Sequence, residues 1–229
     1  MPTDTNATLI VGASRGLGLG LARQLLARGR SVIGTVRHLD RRTGLHDLAD
    51  ASDGRLTVEA VDVTAPYQID ALRQKLGSRR LDILMINSGV GTPTVDDFAE
   101  AFHRVMETNV LGALGALRAF ADLVVPDGAV AVMTSALGSI GANTSGGWEP
   151  YRSSKAALNQ SLRSFAAEHA QEPWSVTAVH PGWVRTDMGG PDAPLDVETS
   201  TRGIADLLES RLGQRGCAFI DYKGDTVPW

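Results

Sequence analysis

A single cysteine, Cys217, stands among 229 residues, so no internal disulfide can form. That excludes the disulfide-stapled secreted scaffold. Cys217 lies in the apolar run Cys217-Ala218-Phe219-Ile220, which suits a small buried hydrophobe. Positive charge is also short: the formal net charge is −4 and the pI is near 5.7. No basic field is available for nucleic acid or an anionic membrane surface. There is no long hydrophobic run. The longest helical apolar region, 110–125, is interrupted by Arg118 and Asp122 and reads as a core helix, not a membrane span. Met1–Asn6 has neither a positive n-region nor an apolar core, so a signal peptide is not expected and a cytoplasmic location is. The five histidines and one cysteine show no ligand spacing, and no metal is expected.

What is present is ordinary in bulk, 43% hydrophobic and 21% charged, and long enough for one large domain over 1–229. Internal repeats and low-complexity linkers are lacking. Short apolar, β-branched runs predict strands at 8–11, 31–36, 57–61, 82–86, 129–134, 176–179 and 218–221. Helical stretches fall between them at 16–27, roughly 39–51, 67–76, 97–124, 150–169 and 197–212. Strands apolar on both faces and alternating with helices imply right-handed crossovers. The expected fold is α/β: a single-domain, Rossmann-type, doubly wound parallel sheet of seven strands with helices on both faces. Residues 1–130 would form the dinucleotide-binding part and 131–229 the catalytic and substrate part.

The chemistry-bearing residues fall at predicted strand ends. After the first strand comes Gly12-Ala13-Ser14-Arg15-Gly16-Leu17-Gly18, opening a helix. Glycines there permit a tight turn and close approach to a pyrophosphate, which the helix N-terminus attracts. The spacing Gly-x-x-x-Gly-x-Gly differs from the broader dinucleotide fingerprint. The second strand ends in Thr35-Val36-Arg37-His38, with no carboxylate before Asp40. Where an NAD enzyme would place a ribose-binding acid, Arg37 together with Arg15 can pair with a 2′-phosphate. NADP(H) is therefore the expected cofactor. NAD(H), with Asp40 turned in, is the alternative. Asp62-Val63 follows the third strand; Asp62 suits either an adenine contact or a turn cap. Asn87-Ser88-Gly89 follows the fourth. Asn109, inside a helix and beside Val110 and Leu111, is locally unfavourable and calls for a specific partner. Ser135 closes the fifth strand, and Pro181-Gly182, Val184 and Thr186 follow the sixth.

In Tyr151-Arg152-Ser153-Ser154-Lys155 the phenol and the ammonium share one helix face. A lysine charge there favours phenolate and lowers a pKa that is otherwise about 10. Trp148, Trp183 and Met188 lie near the same rim, as an apolar pocket or as simple packing.

The ordered set of glycine turn, Asn87-Ser88-Gly89, Asn109, Ser135, Tyr151/Lys155 and Pro181-Gly182 resembles the classical short-chain dehydrogenase/reductase family over essentially the whole chain. Within it, the run from His180 to Pro191 is similar to sniffer-type carbonyl reductases and bacterial C-factor proteins. The resemblance implies Tyr151 as general acid, Lys155 lowering its pKa and holding the nicotinamide ribose, and Ser135 on the substrate carbonyl. Asn109 would support a water linking Lys155 to solvent, and Val184 and Thr186 would hold the carboxamide. Departures are Val11 for a threonine, Ser88 for an alanine, Ile86 for an asparagine, and a longer Ser135–Tyr151 spacing that leaves Ser139 as an alternative. The expectation is an NADPH-dependent reductase of an aldehyde, ketone or quinone, with an NAD-linked alcohol dehydrogenase as an alternative that differs in cofactor and direction. A C-factor-like signalling protein is the second reading. A homodimer through helices 97–124 and 150–169 is expected, with a tetramer as the alternative.

Overall fold

The structure is a computed structural model describing residues 7–92 and 97–229; the reading of Met1–Asn6 lies outside the described residues. Seven strands form one sheet in the order β3-β2-β1-β4-β5-β6-β7, every neighbouring pair parallel. They are β1 (Ala7–Val11), β2 (Ser31–Val36), β3 (Leu56–Ala60), β4 (Leu81–Ile86), β5 (Val124–Met133), β6 (Ser175–His180) and β7 (Gly216–Asp221). Every residue of β1 is buried, as expected of a central strand covered on both faces.

Helices α1 (Gly16–Ala27), α2 (Gly44–Asp50) and α7 (Val197–Ser210) cover one face, where Leu21, Leu25, Leu45, Ile204 and Leu208 meet Ile10, Val32 and Met85. Helices α3 (Pro66–Leu76), α4 (Phe98–Met106), α5 (Ala113–Phe120) and α6 (Glu149–Glu168) cover the other, with Ile69, Leu117, Leu162 and Phe165 against Leu9, Leu84 and Val132. Each such side chain contributes about 1.5–3 kcal/mol when fully buried. On α6 the buried stripe Leu158, Leu162, Phe165 continues upward through Lys155, so the lysine sits on the core face of its helix. No helix among the described residues is long and apolar enough to cross a membrane.

Three departures from the sequence expectation exceed the one or two residues by which element ends ordinarily differ. α2 begins at Gly44, not near 39, because Thr43 and His46 form a reciprocal cap that fixes its start. The helix expected over 97–124 is broken by a π turn, Glu107–Gly112, between α4 and α5. β5 starts at Val124 and passes through Asp127, at φ +65, and Gly128 with a register irregularity against β4. Pro126-Asp127-Gly128 thus forms an irregular entry to the strand.

Candidate active site

Strand order reverses between β1 and β4, and the crevice outside their carboxyl ends is where open α/β sheets bind ligands. The Gly12 amide donates to Thr35 Oγ1 (2.9 Å) and the Ala13 amide to the Thr35 carbonyl (2.8 Å), tying the glycine turn to β2. Asn87 Nδ2 donates to the Gly12 carbonyl (2.6 Å), tying it to β4. Gly12 has φ +92, and a methyl there would stand 3.0 Å from Ser88 backbone atoms. A methyl on Gly18 would meet the Gly12 carbonyl at 2.1 Å. These two positions admit only glycine without rearrangement.

The helix that follows is open for an anion. Arg15 is its N-cap, provides no side-chain cap, and the first turn carries no acid. Its first N–H groups are therefore available to a phosphate. By contrast α4 and α7 are capped by Asp97 and Asp196. Ser14, Gly16 and Leu17 line this turn. The Ser88 hydroxyl opposite is buried with no hydrogen-bond partner among the described residues. This cradle fits a dinucleotide pyrophosphate.

At the β2 end, Arg37 is exposed and close to Asp62. Burial pushes the Asp62 carboxyl up, but hydrogen bonds from Thr64 and the charges of Arg37 and His38 outweigh it and hold the group below its usual value. Asp62 Oδ1 accepts from the Thr64 amide (2.9 Å) and hydroxyl (2.7 Å), the turn-cap arrangement. Val63 is buried beside Gly112 of the π turn. Arg15 does not lie unpaired beside the ribose site: its Nη1 forms an ion pair with Asp187 Oδ2 at 2.6 Å. The sequence reading did not consider Asp187, 172 positions away.

The second cluster gathers at the ends of β4, β5 and α6. Asn109, fully buried in the π turn, accepts from the Val90 amide (2.7 Å) and donates to the Val90 carbonyl (2.9 Å) and Ser154 Oγ (3.1 Å). This is the specific partner its sequence position demanded. π turns recur at functional sites, and here one presents the asparagine inward. Ser154 in turn donates to the Tyr151 carbonyl (2.7 Å), linking the asparagine to α6. Sequence reading passed over Ser154, although it lies inside the Tyr-x-x-x-Lys segment. Gly89 sits between the two clusters: a methyl there would be 3.2 Å from Asn109 Oδ1 and 3.6 Å from Lys155 Nζ.

Ser135 lies two residues beyond the end of β5, where it caps the short turn Ala136–Gly138; it accepts from the Leu137 amide (3.1 Å) and shares a hydrogen bond with the Tyr151 side chain. Ser139 is committed elsewhere, donating to the main-chain oxygen of Trp229 (3.2 Å). Lys155 is buried; its Nζ donates to the Met133 carbonyl (3.1 Å) and lies 5.6 Å from the centre of the Tyr151 ring.

Burial pulls the Lys155 ammonium down to about 8. Burial also pushes the Tyr151 phenol up to about 12, against the Ser135 hydrogen bond. The expectation that Lys155 brings the phenol below its ordinary value is therefore reversed, because desolvation of the charged form outweighs the one opposing contact, from Ser135.

Directly after β6, the Pro181 carbonyl accepts from Ser200 Oγ (2.7 Å), and Gly182 at φ +81 packs under Tyr222. Val184 is buried and bridges to Leu195. Thr186 Oγ1 accepts from the Gly189 amide (3.1 Å), and its methyl lies near Gly16. The segment after β6 thus leans over the glycine turn. Among the described residues no cluster of three or more His, Cys, Asp or Glu could hold a metal.

A switch-point cradle beside a Tyr–Lys–Ser cluster, its lysine and serine buried and its tyrosine half-buried, defines a dinucleotide-dependent oxidoreductase of the Rossmann class. The sequence profile of the short chain dehydrogenase family matches residues 6–194, and the chain belongs to that family. A short-chain dehydrogenase/reductase from Burkholderia multivorans, solved with bound NADP, is 46% identical with a TM-score of 0.94, covering 98% of this chain and 99% of that one. Carbonyl reductase Sniffer of D. melanogaster is 29% identical at a TM-score of 0.86, over 98% and 99% respectively. The C-signal protein of Myxococcus xanthus is 38% identical over 161 residues, 65% of this chain and 93% of that protein.

Proposed function

We propose that this protein is an NADP(H)-dependent carbonyl reductase, converting an aldehyde, ketone or quinone to the alcohol with Tyr151 as general acid. The observation that carries the reading is the pairing of the Ser135 and Tyr151 side chains beside buried Lys155 at the carboxyl rim, next to the glycine cradle. The NADP-bound Burkholderia relative and the exposed Arg37 at the end of β2 support the phosphorylated nucleotide. The α1 N-terminus and residues 12–18 would hold the pyrophosphate, Asn87, Ser88 and Gly89 the crevice floor, and Pro181, Gly182, Val184 and Thr186 the nicotinamide end.

The bound nicotinamide supplies the hydride; everything else falls to the protein. A substrate carbonyl oxygen placed between the two hydroxyls accepts hydrogen bonds from both. As negative charge develops on that oxygen, Ser135 stabilises it and Tyr151 delivers its proton. A phenol held near 12 is fully protonated at neutral pH, the correct form for a donor, and an alkoxide is a strong enough base to take the proton. Lys155, charged below about pH 8, stabilises the phenolate left behind and anchors the ribose. Asn109 and Ser154 hold the Val90 loop and α6 in register.

Tyr151→Phe should retain nucleotide binding and lose roughly 10²–10⁴ in turnover, followed as loss of NADPH absorbance with a panel of aldehydes, ketones and quinones. Near-normal reduction by the folded variant would remove Tyr151 from the mechanism. The C-signal similarity favours a second reading, a signalling protein that keeps the cofactor. Tight NADPH binding without turnover of any carbonyl would support it.

A further inference from the structure

The segment following β6 is built to present one acid. Trp183 Nε1 donates to the Gly189 carbonyl (2.8 Å), the Gly189 amide to Thr186 Oγ1 (3.1 Å) and the Gly190 amide to the Thr186 carbonyl (2.9 Å). A methyl on Gly189 would lie 2.0 Å from the Val184 carbonyl, so the turn closes only with glycine there. Asp187 stands at the tip of this turn, and Met188 beside it reaches within 3.3 Å of a methyl placed on Gly91. The turn therefore spans the crevice, from the β4 loop to the glycine turn, with Asp187 delivered to Arg15.

We propose that Asp187 tunes nucleotide selectivity by competing with the 2′-phosphate of NADP(H) for the Arg15 guanidinium. The inference rests on the NADP(H) reading and goes beyond it. Arg15 Nη1 meets a carboxylate at 2.6 Å, which holds the guanidinium towards the segment after β6 and takes one of the N–H groups that a phosphate would use. Arg37, the other cation expected at that phosphate, has no comparable ion pair among the described residues; Asp62 is near it but accepts from Thr64. NADPH brings a group of up to two negative charges and must draw Arg15 off Asp187. NADH carries a neutral hydroxyl and leaves the pair intact. Asp187 thus taxes NADPH alone and narrows a preference that two unopposed arginines would make steeper. Both partners are largely exposed, at 71% and 76%, so the tax is small.

The test is nucleotide binding by the purified protein, with dissociation constants for NADPH and NADH taken from fluorescence titration. Wild type, Asp187→Asn, Arg15→Ala and the double variant are compared at low and raised salt. Asp187→Asn should tighten NADPH about threefold and leave NADH unchanged within twofold, with the gain shrinking as salt screens the pair. In the Arg15→Ala background, Asp187→Asn should have no effect. Weakening of NADPH by Asp187→Asn would mean that Asp187 orients Arg15 for the phosphate, and would overturn the proposal. Equal changes for both nucleotides would make the pair a loop latch and overturn it too. Persistence of the gain without Arg15 would show that Asp187 acts on the phosphate directly. Wild-type protein binding NADH as tightly as NADPH would instead reject the cofactor reading itself, and the proposal with it.

Discussion

At the scale of single residues, buried Lys155 costs the fold stability. Moving Lys155 from an ordinary 10.5 to about 8 corresponds to roughly 3 kcal/mol spent on keeping a buried amine charged at neutral pH. Its hydrogen bond to Met133 returns about 1 kcal/mol. Lys155→Met, an apolar side chain of similar reach, should therefore be more stable than wild type by about 2 kcal/mol at pH 7, read from urea unfolding, while losing reduction. The sign of the pH dependence follows from proton counting. Between about 8 and 10.5 the unfolded chain holds a proton on this lysine that the folded chain has released, so wild-type stability rises with pH there. The advantage of Lys155→Met should shrink over that window. A gap that stays constant from pH 7 to 10.5 would contradict a depressed lysine.

The two serines separate at this same scale. Ser135 shares a hydrogen bond with Tyr151, whereas Ser139 is tied to Trp229. Ser135→Ala should lower turnover by ~10²–10³, in the manner of a deleted oxyanion donor, and Ser139→Ala by far less. The reverse ranking would move the role to Ser139. Sequence spacing left this choice open because the 141–147 loop lengthens the interval; only the hydrogen bonds distinguish the two hydroxyls.

At the scale of elements, strands were the most legible parts. Buried parallel strands are marked by uninterrupted apolar, β-branched-rich runs, as in Leu9-Ile10-Val11 and Val32-Ile33, and the residues that follow their carboxyl ends, Asn87, Ser135 and Pro181, are thereby assigned to one rim from sequence. Breaks in helices were not legible. Nothing in Glu107-Thr108-Asn109-Val110 announces a π turn, since its cause is tertiary: Asn109 must reach Val90 and Ser154. The Arg15–Asp187 pair was equally invisible, joining two exposed side chains from opposite ends of the chain. Local strain is also hidden from pattern reading. Gly146, Gly147 and Trp148 are consecutive left-handed residues at φ +63, +69 and +55, directly before α6. Arg152 holds them there, donating to the Gly147 carbonyl (2.9 Å) and Ser145 Oγ (3.0 Å). A tryptophan in that conformation costs roughly 1–2 kcal/mol relative to glycine, and with 61% of the residue exposed little burial offsets it. Trp148→Gly should accordingly raise stability by about 1 kcal/mol in urea. A loss of that size would mean that the indole packs usefully and the strain is outweighed.

At the scale of the whole molecule, the nucleotide would bridge both parts of the chain. The cradle comes from β1, β2 and β4, the Tyr–Lys–Ser cluster from β5 and α6, and the covering turn from the segment after β6. A ligand held by all of them stabilises the whole cooperative unit by mass action. At a concentration one hundred times its dissociation constant the gain is about 2.7 kcal/mol, and for a chain of this size each kcal/mol raises Tm by roughly 2–4 °C. NADP⁺ should therefore raise Tm by roughly 5–10 °C. If the arginine contacts to the 2′-phosphate, with Arg37 the larger, are together worth a factor of about ten, NAD⁺ at the same concentration stands at only ten times its own constant. That gives about 1.4 kcal/mol and roughly half the shift. Arg37→Ala should bring the NADP⁺ shift most of the way down to the NAD⁺ level, the remainder being the Arg15 share, and leave the NAD⁺ shift where it was, because only the phosphate meets that guanidinium. Differential scanning of both proteins with each nucleotide checks the expectation. A wild-type shift with NAD⁺ equal to or above that with NADP⁺ would place an acid, with Asp40 the nearest in sequence, on the ribose and Arg37 in solvent. The open end of β2 would then have been misread at the one position where a charge decides between the two cofactors.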